Sequence, residues 1–341
     1  MADKVIIVGV RRGHERVSAI VLKQMAGRVG RSQYGPSGVV DILVGASEID
    51  AVEAELDSVE SFEVKSVFDD IGELAFHLVS EVSSGNVNTI KAAQEWYSRS
   101  YHHFCGGMIV IQEVVDYLIE IEAVKIVGDR ILPTSLGNVS SRYYFRPEDV
   151  FGWRNNFAEI FDRGIENDDL AIAWSLSSVP CGYKLLDLGK KRNLMSIYRE
   201  QVESFGLEIL TGTSVTGLLW WNSIGGPPIA FLRGDIANLR KDFGRIYHAL
   251  IDLDRISDWG MADFFDSLKV RVEHRIPNEL VSLCKLPGIG KTFAYELYNM
   301  GIEDAEQLTT KMSVIQSCGN ERLVNAVRKA IIEINVSRAS S

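Results

Sequence analysis

Apolar residues recur at every second position in some stretches of the chain, and at every third or fourth in the longer ones. Residues 1–56 mix the two. Runs rich in β-branched residues at Lys4–Val10 and Val39–Gly45 read as strands, Ser18–Gly27 between them as a short helix, and Ile49–Leu56 as another. This is one βαβ unit with a trailing helix. Parallel strands are normally buried on both faces, and two of them cannot bury themselves, so the unit reads as a fragment of a larger sheet.

The helical period takes over from Val67. Val67–Val82, Asn88–Phe104 and Met108–Ile121 read as three amphipathic helices, the second with Asn88 or Thr89 as N-cap. Ile109, Val110, Val114, Leu118 and Ile121 are the apolar positions of the third. A hairpin over Val124–Val127 and Arg130–Pro133, and a helix from Thr134 to about Arg142, complete a winged-helix rhythm. Winged helices often bind DNA through the third helix. Met108–Glu122 contains no Arg or Lys, so here it reads as a brace.

Residues 147–275 are helical without a fixed repeat. Pro147-Glu148-Asp149 opens a helix to Asp162. Asp168–Leu176, Leu194–Phe205 and Ser214–Ser223 follow, before a break at Gly225-Gly226-Pro227-Pro228. Trp153, Trp174, Trp220 and Trp221 read as core, Trp221 being the most exposed. A helix over Ile236–Ile256 then buries Leu239, Phe243, Ile246, Leu250 and Leu253. A second face carries Asn238, Lys241, Arg245, His248 and Asp252. Such a strip suits a single strand, whose backbone charge and base faces are handles independent of sequence. A merely solvated face fits the same pattern.

The last compact stretch begins at Pro277. Leu286-Pro287-Gly288-Ile289-Gly290-Lys291 precedes helices at Thr292–Met300 and Glu303–Thr310, a helix-hairpin-helix signature packed through Leu286, Ala294 and Leu297. In it Gly288, Ile289, Gly290, Lys291 and Thr292 would aim backbone N–H groups and a cation at a DNA phosphate. Arg322, Arg328 and Lys329 on a final helix, Glu321–Ile334, extend the cations, and Val336–Ser341 reads as a frayed tail.

Composition bounds this picture without redirecting it. A chain of 341 residues holds two or three domains. No apolar run reaches the roughly 18–20 residues that span a bilayer, and no signal peptide precedes Val5. Cys105, Cys181, Cys284 and Cys318 are scattered and read as buried thiols of a reducing compartment, with no disulfide, zinc or other metal site. The net charge of −10 argues against non-specific coating of nucleic acid. Charge is nevertheless uneven: six bases against Glu15 over Arg11–Arg31, then eleven acids against Lys65 over Glu48–Glu81.

The strongest candidate chemistry lies in the first basic stretch. Gln24-Met25-Ala26-Gly27-Arg28-Val29-Gly30-Arg31 places two arginines three residues apart, each after a glycine. Arginine grips phosphate oxygens in bidentate fashion, and glycine lets a nucleotide approach the backbone. The pattern Q-x-x-G-R-x-G-R resembles motif VI of superfamily 2 helicases, and the run from Leu22 is most similar to the Ski-like branch. That resemblance implies that Gln24 and Gly27 adjoin the nucleotide and that Arg28 and Arg31 act as arginine fingers on its γ-phosphate. A phosphate loop G-x-x-x-x-G-K-[ST] and an acidic strand end for Mg²⁺ do not occur in the sequence; Gly288–Thr292 lacks the leading glycine of that loop.

Taken in order, the elements are similar to the C-terminal part of the archaeal Hel-type and HELQ-type DNA-repair helicases. Ser135-Leu136-Gly137 and Gly234-Asp235-Ile236 are further anchors of the resemblance. It implies a mainly α fold in four parts. These are the end of a second RecA-like domain (1–60), a winged helix (61–146), a helical bundle (147–276) and a helix-hairpin-helix domain (277–335). Ile236–Ile256 would be the ratchet helix along a translocating strand; the family's stacking arginine and tryptophan fall on Asn238 and Arg245, and Asn238 cannot stack as an arginine does. The expectation is one half of a split, ATP-dependent 3′–5′ DNA helicase, inactive alone. It would share ATP and Mg²⁺ with a partner chain carrying the N-terminal motifs, bind single-stranded or branched DNA, and work in the cytoplasm away from membranes. The alternatives are a non-enzymatic DNA-binding adaptor, a degenerate remnant, or a cut piece of a longer chain.

Overall fold

Helical periods dominate the sequence, and the computed structural model is mainly α. It describes residues 4–12, 15–29, 38–57, 66–177, 192–209, 213–226 and 233–340. The chain divides into two compact units, residues 1–66 and 67–341.

In the first unit, β1 (Lys4–Val8) is followed by the short antiparallel pair β2 (Arg11–Arg12) and β3 (Glu15–Arg16). Then come α1 (Ala19–Ala26), β4 (Val39–Leu43) and α2 (Ile49–Asp57). β1 therefore stops before the expected Val10, because the chain turns at Gly9, in the left-handed region at φ 78°. β1 and β4 pair in parallel, Lys4 beside Val39 and Val8 beside Leu43. Ile7, Val10, Leu22 and Val52 form the small core between this sheet and the helices. The opposite face carries Ile6, Val8, Val39 and Leu43, each more than half exposed. Among the described residues, neither strand has a second neighbour.

The second unit opens with α3 (Ile71–Ser83), capped by the Asp70 carboxylate, which accepts from Gly72 N–H. The helix expected over Asn88–Phe104 is two: α4 (Ile90–Tyr97), capped by Thr89, and α5 (Tyr101–Phe104), capped by Ser100. Ser98 and Ser100 supply cap hydroxyls where the chain breaks, a stop the apolar period does not register. α6 (Ile111–Glu120) and the hairpin of β5 (Val124–Val127) and β6 (Arg130–Pro133) follow, then α7 (Ser135–Tyr143) and α8 (Pro147–Asp162). Next are α9 (Asp169–Leu176), α10 (Arg192–Ser204), α11 (Ser214–Ser223), α12 (Arg233–Ser257) and α13 (Ala262–His274). One hydrophobic core runs from Leu74 to Val272 through all of these elements except α5 and includes Trp153, Trp174 and Trp220, while Trp221 is half-buried against it. A second core, from Ile276 to Ala330, is built by α14 (Val281–Cys284), α15 (Lys291–Asn299), α16 (Ala305–Thr310), α17 (Met312–Ser317) and α18 (Glu321–Ser340). The tail expected to fray from Val336 is helical to Ser340, since no Gly or Pro stops α18. Cys284 is buried as expected, but Cys105 and Cys318 are exposed; Cys181 lies outside the described residues.

Candidate functional site

The motif at Gln24–Arg31 sits at the end of α1. The helix closes at Gly27, whose N–H donates to Lys23 O at 2.8 Å, and Arg28 continues the turn with its N–H on Met25 O at 3.2 Å. Gly27 has an ordinary negative φ, and a Cβ there would meet only carbonyls of α1, the nearest at 3.4 Å. Gln24 and Arg28 are exposed, and both line an open cleft of about 630 Å³ along the edge of β1. Ile6, Val8, Val21 and Met25 make its apolar wall, and Arg11 adds a second guanidinium. The basic stretch is partly neutralised by the acids that follow it: Arg11 pairs with Glu48 and Arg16 with Glu55, each at 3.2 Å. Arg28 pairs with no carboxylate among the described residues. Arg31 and Gly30 lie outside them. A cation held beside an amide at a cleft mouth is equipped to meet an oxyanion.

In the second unit, α12 buries Leu239, Phe243, Ile246, Leu250 and Leu253 and leaves Asn238, Lys241, Arg245 and His248 exposed, as their spacing predicts. Asp252 is not on that strip. It is 8% exposed and accepts from Arg142 Nη1 and the Tyr143 hydroxyl, both at 2.8 Å, and from Arg255 at 3.1 Å. The end of α7 thus lies against α12, a contact between distant parts of the sequence. The same end engages the strip itself. Arg245 sits 4.3 Å above the Phe145 ring and donates to Tyr144 O at 3.2 Å, and His248 lies nearly parallel to Tyr143. One face of the Arg245 guanidinium is therefore already occupied. Tyr144, which the strip pattern did not single out, adds an exposed ring beside it, held in the left-handed region at φ 56°.

At the helix-hairpin-helix signature, Gly288 adopts φ 77° and Gly290 precedes α15 with no side chain capping the helix. A Cβ at either glycine would meet nothing within 4 Å. Ile289 is only 2% exposed and its N–H donates to Leu286 O, so neither its side chain nor its amide is available to a ligand. Thr292 is exposed, and Lys291, also exposed, donates to Arg275 O at 2.7 Å. No group of candidate metal ligands occurs among the described residues, and none of their helices is long and apolar enough to cross a membrane.

No family model matches the chain. It is 27% identical to the ATP-dependent DNA helicase Hel308 of Caldivirga maquilingensis, an alignment covering 90% of this chain and 46% of that protein. The Hel308 proteins of Thermoplasma volcanium and Pyrococcus horikoshii are 23% and 22% identical, over 90% and 87% of this chain and 46% and 44% of theirs. The chain thus spans less than half the length of these relatives. Along nine-tenths of its own length it resembles the C-terminal part of a Hel308-type DNA helicase, as the residues at Leu22–Arg31 imply.

Proposed function

We propose that this chain is the finger-and-channel half of an ATP-dependent superfamily 2 DNA helicase, acting in DNA repair. The observation that carries the reading is the cleft along the edge of β1. Gln24 meets there an Arg28 that pairs with no carboxylate among the described residues, beside a sheet edge able to take another strand. The phosphate cradle and the Mg²⁺ carboxylate would come from polypeptide outside these 341 residues, through strand addition to the parallel sheet. ATP and Mg²⁺ would then be bound jointly. Arg28, with Arg31, would stabilise charge developing on the γ-phosphate, a role worth roughly 10³–10⁵ in rate in other nucleotide hydrolases.

The second unit is read as a winged helix bracing a helical bundle, with the helix-hairpin-helix at the end. Hydrolysis would step a single strand 3′–5′ along α12, with Lys241 on its phosphates and Arg245 and His248 beside its bases. The chain alone should hydrolyse no ATP. Combined with a chain carrying the N-terminal helicase motifs, it should show DNA-stimulated hydrolysis that Arg28→Ala lowers by at least a hundredfold. Full activity of Arg28→Ala in that complex would refute the finger role. The runner-up is a DNA-binding adaptor, for which the exposed strip of α12 and the hairpin at Gly288–Thr292 would suffice. It predicts strand binding indifferent to ATP and to Arg28→Ala.

A further inference from the structure

Three cations converge where α13 ends, and none belongs to the exposed strip of α12. Arg240 reaches from α12 to donate through Nε to Val272 O at 2.7 Å and through Nη2 to Glu273 O at 2.5 Å. Lys291, the first residue of α15, donates to Arg275 O at 2.7 Å. Arg275 itself, the residue after α13, donates through Nη2 to Asn222 Oδ1 at 2.7 Å, while its Nε is buried without a partner. Every acceptor in this cluster is neutral. The carbonyls belong to the negative end of the α13 dipole, worth roughly half a charge against three.

Elsewhere in this unit, partly buried arginines have carboxylates: Arg146 has Glu73, Arg154 has Glu122 and Arg271 has Asp169. Arg240, Arg275 and Lys291 have none among the described residues. Glu273 offers Arg240 its carbonyl rather than its side chain. The electrostatic consequence is visible in the protonation equilibria. Burial and then the Arg275 charge hold Arg240 below its ordinary value, and burial, Arg275 and Arg240 do the same for Lys291. Like charges brought together without a counter-charge raise the energy of the folded chain, and an anion lowers it again.

We propose that Arg240, Arg275 and Lys291 form a binding site for a phosphate group at the junction of α12, α13 and α15. Two guanidiniums and an ammonium, each with donors left over, match the several oxygens of a phosphate better than a lone carboxylate. The choice of ligand rests on the reading of α12 as a strand-facing helix: Lys241 of the strip follows Arg240 in the chain, and Lys291 of the hairpin belongs to the cluster, so the cluster adjoins both. A free phosphate would satisfy the same donors.

The test uses the full chain and a fluorescent oligo-dT, with binding followed by anisotropy across a salt series. Arg275→Gly is the informative variant, because glycine suits the left-handed backbone at φ 53° and removes the charge without straining the fold. Arg275→Gly and Lys291→Gln should each weaken binding about fivefold near 0.1 M salt and flatten the log–log salt slope by about 0.7, one phosphate's worth for a single strand. In a parallel arm, inorganic phosphate should raise the thermal midpoint of the wild type and not that of Arg275→Gly. A midpoint effect with unchanged DNA binding assigns the site to free phosphate. If Arg275→Gly matches the wild type in both arms, the site is refuted. Lys241→Ala separates the two readings: loss of DNA binding with Lys241→Ala, and no change with Arg275→Gly in either arm, leaves the α12 strip standing and this site overturned, and loss with Arg275→Gly alone does the reverse.

Discussion

Asp149 gives the sharpest quantitative test of the second unit. It lies in the first turn of α8, where the helix dipole favours a negative charge. Burial outweighs that preference. Desolvation first, and then the charge of Glu148, push its carboxyl from 3.8 up to about 7, against the opposing pull of Arg146. The folded chain therefore keeps a proton that the unfolded chain releases at about pH 4. Between those values the native state binds more protons, so stability falls as pH rises from about 4 to 7 and is flat above. At 1.36 kcal/mol per unit, the full penalty above pH 7 is about 4 kcal/mol, of which about 2 kcal/mol develops between pH 5.5 and 8. Asp149→Asn mimics the protonated form. It should raise the urea midpoint markedly at pH 8, less at pH 5.5, and remove most of the pH dependence over that range. Urea titrations followed by tryptophan fluorescence measure it directly. Equal stabilisation at both pH values, or none at pH 8, would refute the argument that burial controls this carboxyl.

Three further outcomes follow from contacts already described. A Cβ on Gly137 would lie 2.0 Å from Ala123 O, so Gly137→Ala forces α7 away from its neighbours and should cost about 3 kcal/mol, read as a fall in thermal midpoint. Asp252→Ala leaves the Tyr143 hydroxyl without its acceptor and frees the largely exposed Arg142 and Arg255; it should lower the thermal midpoint, while the two released guanidiniums should tighten oligo-dT binding at low salt. Tyr144→Gly relieves a left-handed tyrosine and should stabilise the chain by about 1 kcal/mol. Yet if Tyr144 stacks on a base, affinity for the strand should fall about fivefold, an outcome that a purely structural tyrosine would not produce.

Much of this was legible in the sequence wherever a strong period coincided with chemistry at the ends. α8 begins at Pro147 and ends at Asp162 as the proline and acidic-turn rules predict, and the hairpin of β5 and β6 matches to the residue. The stripe of α12 was readable because Leu239 to Leu253 keep one spacing throughout. Failures came where a local pattern competes with a distant contact. Asp252 continues the step from Lys241 through Arg245 and His248, yet Arg142 and Tyr143, more than a hundred residues earlier, cover it. Ile289 sits within the phosphate-facing signature but fills the core beneath it. α13 was not distinguished within the helical stretch, because no capping side chain stands before it: the Met261 N–H donates instead to the Asp254 carboxylate, seven residues earlier on α12. The cluster of Arg240, Arg275 and Lys291 has no spacing of its own, since three separate elements assemble it.

The parallel pair of β1 and β4 has a practical implication. With Ile6, Val8, Val39 and Leu43 exposed and no further neighbour on either strand among the described residues, the first unit should be adhesive toward an extended chain. At high concentration the molecules should pair through these edges with one another, giving oligomers whose size grows with concentration. The single substitutions Val8→Lys or Leu43→Lys, which place a charge on this face, should then decide how much well-behaved protein is recovered.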